Sequence, residues 1–247
     1  MTGLLAKVMR RVARHMDKSL LPSLQKSIVT FSFDDCPKSA ITTGLPLLEA
    51  EGWRATIYVA CGLCDTTNHL GLHMSEADIV DVHARGHEIA DHTFSHLSAN
   101  EVGLDEFLDD IEKNQSALER LGVPRSRHFA YPYGHVSPAI KKELRKKFET
   151  LRGVVAPSGP LQDSNLLSAV RIYSNDSIGF ALEQIKRAQS NPVWLNLFTH
   201  DLGETPSEYG CTPDDFKRII DAVIKARLSV MTVDKAYETI LESELTS

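Results

Sequence analysis

The sequence is poor in cysteine and tryptophan and has no long apolar run. Among 247 residues there are four cysteines (Cys36, Cys61, Cys64 and Cys211) and two tryptophans. Four cysteines cannot staple a chain of this length, so a disulfide scaffold is excluded and reduced thiols are expected. Cys61-Gly62-Leu63-Cys64 has metal or redox spacing. A single such pair, without a second, reads as two structural cysteines at a strand end. No stretch reaches the about 18 apolar residues that a membrane span needs. Lys and Arg interrupt the apolar residues near the N-terminus too often for a secretory h-region. A basic surplus is missing as well: the net charge of −6 argues against general nucleic-acid affinity. Internal repeats and low-complexity tracts are not found.

What is present is ordinary globular composition, 42% hydrophobic and 24% charged, enough for one large core. Apolar runs and helical periodicities alternate about seven times. Strands are expected at 28–33, 54–59, 87–91, 128–131, 153–155, 169–173, 193–198 and 229–232. Helices are expected at 40–51, 75–85, 104–121, 137–148, 176–189, 212–226 and from 233 onward. That rhythm argues an α/β fold with a parallel sheet, open or closed as a barrel. No linker divides it, so residues 28–247 read as one domain.

Residues 1–27 differ in charge. They hold six Lys or Arg against Asp17 alone, a net +5 that leaves −11 on the remainder. Leu4, Leu5, Val8, Met9, Val12, Met16 and Leu20 recur at helical spacing, with Lys7, Arg10, Arg11, Arg14 and Lys18 opposite. This amphipathic helix can pack on its own domain, or residues 4–20 can lie on an anionic membrane surface.

Four pieces carry candidate chemistry. The first is Phe31-Ser32-Phe33-Asp34-Asp35-Cys36-Pro37, two carboxylates closing a core strand that Pro37 cannot continue. Strand ends of this kind are where α/β folds bind ligands. Adjacent carboxylates repel, and one bound metal would resolve this by taking one Asp as ligand and leaving the other as base. Alternatively, Asp34 caps the next helix and Asp35 lies in solvent. The second piece is His92-Thr93-Phe94-Ser95-His96, two imidazoles with metal-ligand spacing if a helical turn follows Asp91. The third is Tyr131-Pro132-Tyr133-Gly134, a tight turn whose N–H groups can hold an oxyanion. The fourth is Leu197-Phe198-Thr199-His200, which offers a general acid or a buried structural His.

These four pieces, in this order, resemble the polysaccharide deacetylase (NodB-homology) family, the fourth carbohydrate esterase family. Phe31 to Asp35 is similar to its T-F-D-D motif, His92 to His96 to its H-[ST]-x-x-H motif, Tyr131 to Gly134 to the turn of its third motif, and Leu197 to His200 to its L-x-x-H motif. The resemblance spans about residues 28–235. It implies an irregular (β/α)7 barrel, a single domain with the N-terminal helix ahead of it, that removes N-acetyl groups from an N-acetylated saccharide. It implies a divalent metal, Zn2+ by expectation, on Asp35, His92 and His96. Asp34 would be the base, the Tyr133 N–H the oxyanion donor and His200 the acid. Tyr131, Pro132 and Arg171 would meet substrate.

The chain departs from the family's pattern in places. Cys36 stands where a Gly is usual, Ala130 stands where an Arg commonly helps hold the catalytic Asp, and the Asp-and-Trp fourth motif is not placed. Arg171, at a later strand end, is the positional candidate for the missing Arg. Two rivals remain: a metal-independent hydrolase of cyclic amides such as allantoin, and a non-catalytic carbohydrate-binding protein on the same fold. The intact metal set argues against the first, and the retained acid and base against the second. The expected location is the cytoplasm, or the inner face of the membrane.

Overall fold

The computed structural model describes residues 11–13, 15–175 and 177–245. Its centre is β1, Ile28–Asp34, buried along its whole length. Successive side chains alternate between faces. Val29, Phe31 and Phe33 point to the helix layer and join the largest apolar cluster. Thr30, Ser32 and Asp34 occupy the alternate positions on the barrel side, where Thr30 donates to Asn196 Oδ1 at 2.7 Å. Phe31 and Phe33 pack on Phe216 with ring centroids 5.7 and 5.8 Å apart. Truncating a buried Phe of this kind costs about 3–5 kcal/mol.

Around β1 lie β2 (Thr56–Val59), β5 (Glu88–Asp91), β6 (His128–Ala130), β7 (Thr150–Arg152), β8 (Val170–Arg171) and β9 (Trp194–Thr199). Their order is β7-β6-β5-β2-β1-β9-β8, and every neighbouring pair is parallel. The curl closes irregularly. Leu167 bridges Arg152, with Leu167 N donating to Leu151 O at 2.7 Å and Gly153 N to Leu167 O at 3.0 Å. This is the expected irregular seven-strand α/β barrel. A short strand β10 (Ser229–Val230) joins β1 at its start, and a small hairpin, β3 (Thr67–Asn68) with β4 (Gly71–Leu72), stands at the rim.

The helices are α1 (Leu45–Glu49), α2 (Glu76–Ala84), α3 (Leu104–Arg120), α4 (Pro138–Leu144), α5 (Ile178–Ala188), α6 (Pro213–Ala226) and α7 (Val233–Leu245). Their starts follow local chemistry. Ser75 and Asp78 form a reciprocal capping box, and Ser137 and Thr212 each accept the third N–H of a helix that opens with Pro.

Three elements depart from expectation. The helix foreseen at 40–51 begins as a π turn, Ala40–Gly44, and becomes α only at Leu45. Pro46 lacks the N–H that would continue an α ladder across that join. The strand foreseen at 153–155 ends earlier, at Arg152. The basic N-terminal helix does not reach Leu20. Residues 1–10 lie outside the described part, residues 11–13 are helical, and the chain turns at 15–17. Leu20 bridges Asp163 and is 58% exposed. The buried Lys141 ammonium donates to the Ala13 and Met16 carbonyls at 3.1 and 2.9 Å, which satisfies acceptors at that helix end.

Candidate active site

Asp34 ends β1 pointing into the barrel, 3% exposed. Arg152 Nη2 donates to its two carboxylate oxygens at 2.6 and 2.5 Å. The Arg152 guanidinium, 1% exposed, lies between the rings of Tyr58 and Phe198, 4.7 Å from each centroid, and also donates to Gly153 O. Burial works to lower the Arg152 pKa, yet Asp34 outweighs it and the guanidinium stays charged.

Arg171 therefore does not replace the missing family Arg; Arg152 does. Parallel register sets Ala130 directly beside Arg152. The guanidinium is supplied from the neighbouring strand at the same level, so the Asp34 pair survives the loss at position 130. The available sequence signal was a lone Arg closing the short run Thr150-Leu151-Arg152 before Gly153.

Asp35 lies just beyond the strand with φ 62°, and Cys36 follows at φ 54°. Left-handed backbone at a non-Gly residue costs about 1–2 kcal/mol, which accounts for the usual Gly at the Cys36 position. The twist swings Asp35 to the rim, where Oδ1 lies 2.9 Å from His96 Nε2 and 3.1 Å from His92 Nε2.

The His pair is not on a helical turn as expected. Thr93 and His96 both have positive φ, and the segment is a loop. Side chains hold it: Asp91 Oδ1 accepts the Thr93 N–H at 2.8 Å, Thr93 Oγ1 accepts from Leu97 N, and the Asp110 carboxylate takes both the N–H and the hydroxyl of Ser95. Burial pushes the Asp91 carboxyl up to about 7.

Among the described residues, Asp35, His92 and His96 are the one group of three able to hold a metal ion, with ligand atoms within 4.8 Å of one another. The donor set fits a cation. His92 Nδ1 lies 2.8 Å from Ala130 O, and as donor it leaves a lone pair on Nε2 facing Asp35. Asp35 Oδ1 is buried without a hydrogen-bond donor. Converging lone pairs around an orphaned carboxylate oxygen are what a divalent metal satisfies. When no cation is held, N–H donors of the same two imidazoles can face Asp35, and that contact outweighs burial and holds the carboxyl well below its usual range.

Tyr133 sits at φ 58° in the turn, 60% exposed, with its ring 4.4 Å from that of His96. Gly134 follows at φ +62°, where a Cβ would lie 2.2 Å from Val154 Cγ2, so only Gly fits. Of the residues expected to meet substrate, Tyr131 borders the cavity although only 1% exposed, its ring edge-on to Phe129 at 5.2 Å, while Pro132 is buried and is not among the lining residues. Both brace the turn.

His200 closes β9 at the opposite wall. Its Nδ1 lies 3.1 Å from Tyr209 O and, as donor, leaves Nε2 for chemistry. Tyr209 escaped the sequence reading because it comes from a loop nine residues away. Asp201 supports that loop by accepting the N–H and hydroxyl of Ser207 at 2.8 and 2.5 Å.

All of these groups meet in one cavity of about 500 Å³, lined by Asp34, Asp35, His92, His96, Tyr133 and His200 together with Tyr131, Arg171, Tyr173, Phe198, His69 and Tyr209. The family profile described as polysaccharide deacetylase matches residues 22–148, just over half of the chain. The chain belongs to the polysaccharide deacetylase family. Its enzymes are hydrolases of C–N and ester bonds.

Solved structures of this family share the fold. The carbohydrate esterase domain of a multidomain xylanase from the hindgut metagenome of Trinervitermes trinervoides superposes with TM-score 0.59 at 16% identity, covering 87% of this chain and 91% of that one. A family 4 acetyl xylan esterase from Clostridium thermocellum, in complex with a cobalt ion, gives 0.59 at 18% identity, covering 86% and 91%. The chitin deacetylase of Colletotrichum lindemuthianum gives 0.59 at 14%, covering 87% and 89%. No curated protein matches by sequence. The matched span contains Asp35, His92, His96 and the Tyr133 turn; Arg152, Arg171 and His200 lie beyond it.

Proposed function

We propose that the protein is a metal-dependent deacetylase that removes N-acetyl groups from an N-acetylated amino sugar in an oligo- or polysaccharide. The orphaned Asp35 oxygen between two imidazoles carries this reading. Asp35, His92 and His96 would hold a divalent ion, Zn2+ by the preference of such donors. Its Lewis acidity would polarise the acetyl carbonyl and acidify a water molecule.

The rest is done by the chain. Asp34 takes the water's proton as its oxygen adds to the carbonyl carbon. Arg152 keeps that carboxylate oriented and compensates its charge. The Tyr133 N–H donates to the developing oxyanion. His200, oriented by Tyr209 O, hands a proton from Nε2 to the departing nitrogen as the C–N bond breaks, giving acetate and a free amine. The metal-independent cyclic-amide reading leaves the triad without a task. Contact of residues 4–20 with an anionic membrane, and a cytoplasmic site of action, are proposed on the basic residues there alone.

The test is acetate release from a panel of N-acetylated oligosaccharides, with and without chelation. Asp34→Asn should keep metal and lose about 10²–10⁴-fold in rate. His200→Ala should hurt amides far more than activated esters, because only the amine needs the proton. Chelation-resistant activity, or equal losses on amide and ester, would refute the reading.

A further inference from the structure

We propose that Arg171 makes the enzyme selective for an anionic substrate: an N-acetylated saccharide that carries a carboxylate or a phosphate ester beside the acetamido sugar. The inference rests on the hydrolysis proposed above and names its substrate class.

Placement comes first. In β8, Val170 and the following Ile172 belong to the outer apolar cluster. Alternation then turns Arg171 and Tyr173 towards the barrel side, and both line the cavity. Arg171 pairs in register with Phe198, two residues before His200. Its guanidinium lies 6.0 Å from the Tyr173 ring, which itself packs 5.9 Å from His200. One aromatic ring therefore separates this cation from the group that would protonate the leaving amine.

Charge decides the chemistry. Among the described residues, the cavity-lining carboxylates are Asp34 and Asp35. Asp34 is matched by Arg152. Asp35 faces His92 and His96 and would be met by the divalent ion. Arg171 is exposed and forms no ion pair with any described residue, so its charge is the one left unanswered at the cavity. A neutral sugar does not answer it. A planar guanidinium presents a fork of N–H donors that matches carboxylate or phosphate in bidentate fashion. Held at the mouth, an anion on the sugar would meet Arg171 while its acetamido group reaches the triad.

The test compares three size-matched probes: a chitin tetrasaccharide, a hyaluronan tetrasaccharide bearing uronates, and a chitin tetrasaccharide bearing a terminal phosphate. Acetate release gives kcat/KM on loaded enzyme, and calorimetric titration gives Kd on metal-free protein. The wild type should favour at least one anionic probe over the neutral one by roughly tenfold or more in both measurements. The carboxylate and phosphate arms identify which anion is read. Arg171→Gln should bring the ratio to about one and Arg171→Glu should invert it, and 1 M salt should flatten the wild-type ratio. Equal affinity for neutral and anionic probes, or a ratio that survives Arg171→Gln, would overturn the proposal. Absence of hydrolysis on every probe would instead overturn the deacetylase reading, while the Kd ratio would still judge Arg171.

Discussion

The two ends of the barrel each gather histidine and carboxylate groups, and they use them differently. At the end away from the cavity, His128 Nδ1 meets Thr150 Oγ1 at 2.8 Å and its Nε2 meets Asp234 Oδ1 at 3.0 Å. Arg127 and Glu238 extend the pair, and Glu88 Oε2 accepts from Thr56 Oγ1 and from Asp234 N at the start of α7. Each ring nitrogen there has a protein partner, and the cluster fastens the last helix to the sheet. At the cavity end, His92 and His96 turn lone pairs and rings on Asp35, and the oxygen between them is left without a donor. The first cluster also leaves one buried oxygen, Glu88 Oε1, without a donor, 4.0 Å from His128 Nε2, but both His128 nitrogens are spent on protein partners. In the second, two ring nitrogens and a carboxylate oxygen converge within 4.8 Å of one another, a set that can hold a cation. The difference lies in how the ring nitrogens are spent, since residue types are shared.

The largest contrast is expected from removing one His at each end. His92→Ala should lose its metal, with an affinity loss exceeding the roughly 10–100-fold typical of removing an outer partner. His128→Ala should leave metal content unchanged and cost about 1–3 kcal/mol of stability through buried groups left unpaired. Metal analysis and denaturant unfolding of both variants check this; equal metal loss in the two would erase the distinction.

Arginines sharpen the comparison next. Arg152→Met strands the Asp34 carboxylate in the barrel and should cost about 3–5 kcal/mol. Adding Asp34→Asn should restore part of that stability without restoring activity, a coupling that a double-mutant cycle reads directly. Arg127→Gln at the other end removes a half-exposed partner and should cost under about 1 kcal/mol. Similar costs for the two arginines would show that burial does not separate the ends.

The smallest effect concerns acid. The His128 hydrogen bond, and then Arg127, hold Asp234 at about 2 against the effect of burial. An unfolded Asp titrates near ~3.9. A depressed carboxylate adds stability that is complete above the unfolded value and is lost as pH falls from there towards 2. Solvent screening at this partly exposed group reduces the contribution to on the order of 1 kcal/mol. The gap in unfolding free energy between wild type and Asp234→Asn should therefore be full at pH 6 and shrink below pH 4. A gap independent of pH would mean that the pairing is not what depresses Asp234.

Cys36 shows how far local reading went. Its departure from the family Gly was visible in the chain, and its φ of 54° supplies the reason for the Gly preference. Full burial and packing in the main apolar cluster hold the strained Cys in place. Spacing identified His92 and His96 as partners, but assigned the wrong backbone. A helical turn and a loop bent by Asp91 and Asp110 bring the same two imidazoles together, and only the hydrogen bonds tell them apart.

By itself the sequence determined the barrel class, the Asp-Asp strand end, the His pair, the glycine turn and the strand closed by His200, because each is written in a few consecutive residues. Only the tertiary structure decided what those groups face. Arg152 is 118 positions from Asp34 and reaches it because parallel register sets β7 beside β6 at the level of Ala130. Tyr209 orients His200 from a loop, Lys141 ends the N-terminal helix from α4, and Arg171 stands at the mouth because its neighbours Val170 and Ile172 face the other way. Strand register and closure of the sheet are set by packing across the whole domain, and no window of neighbouring residues contains them.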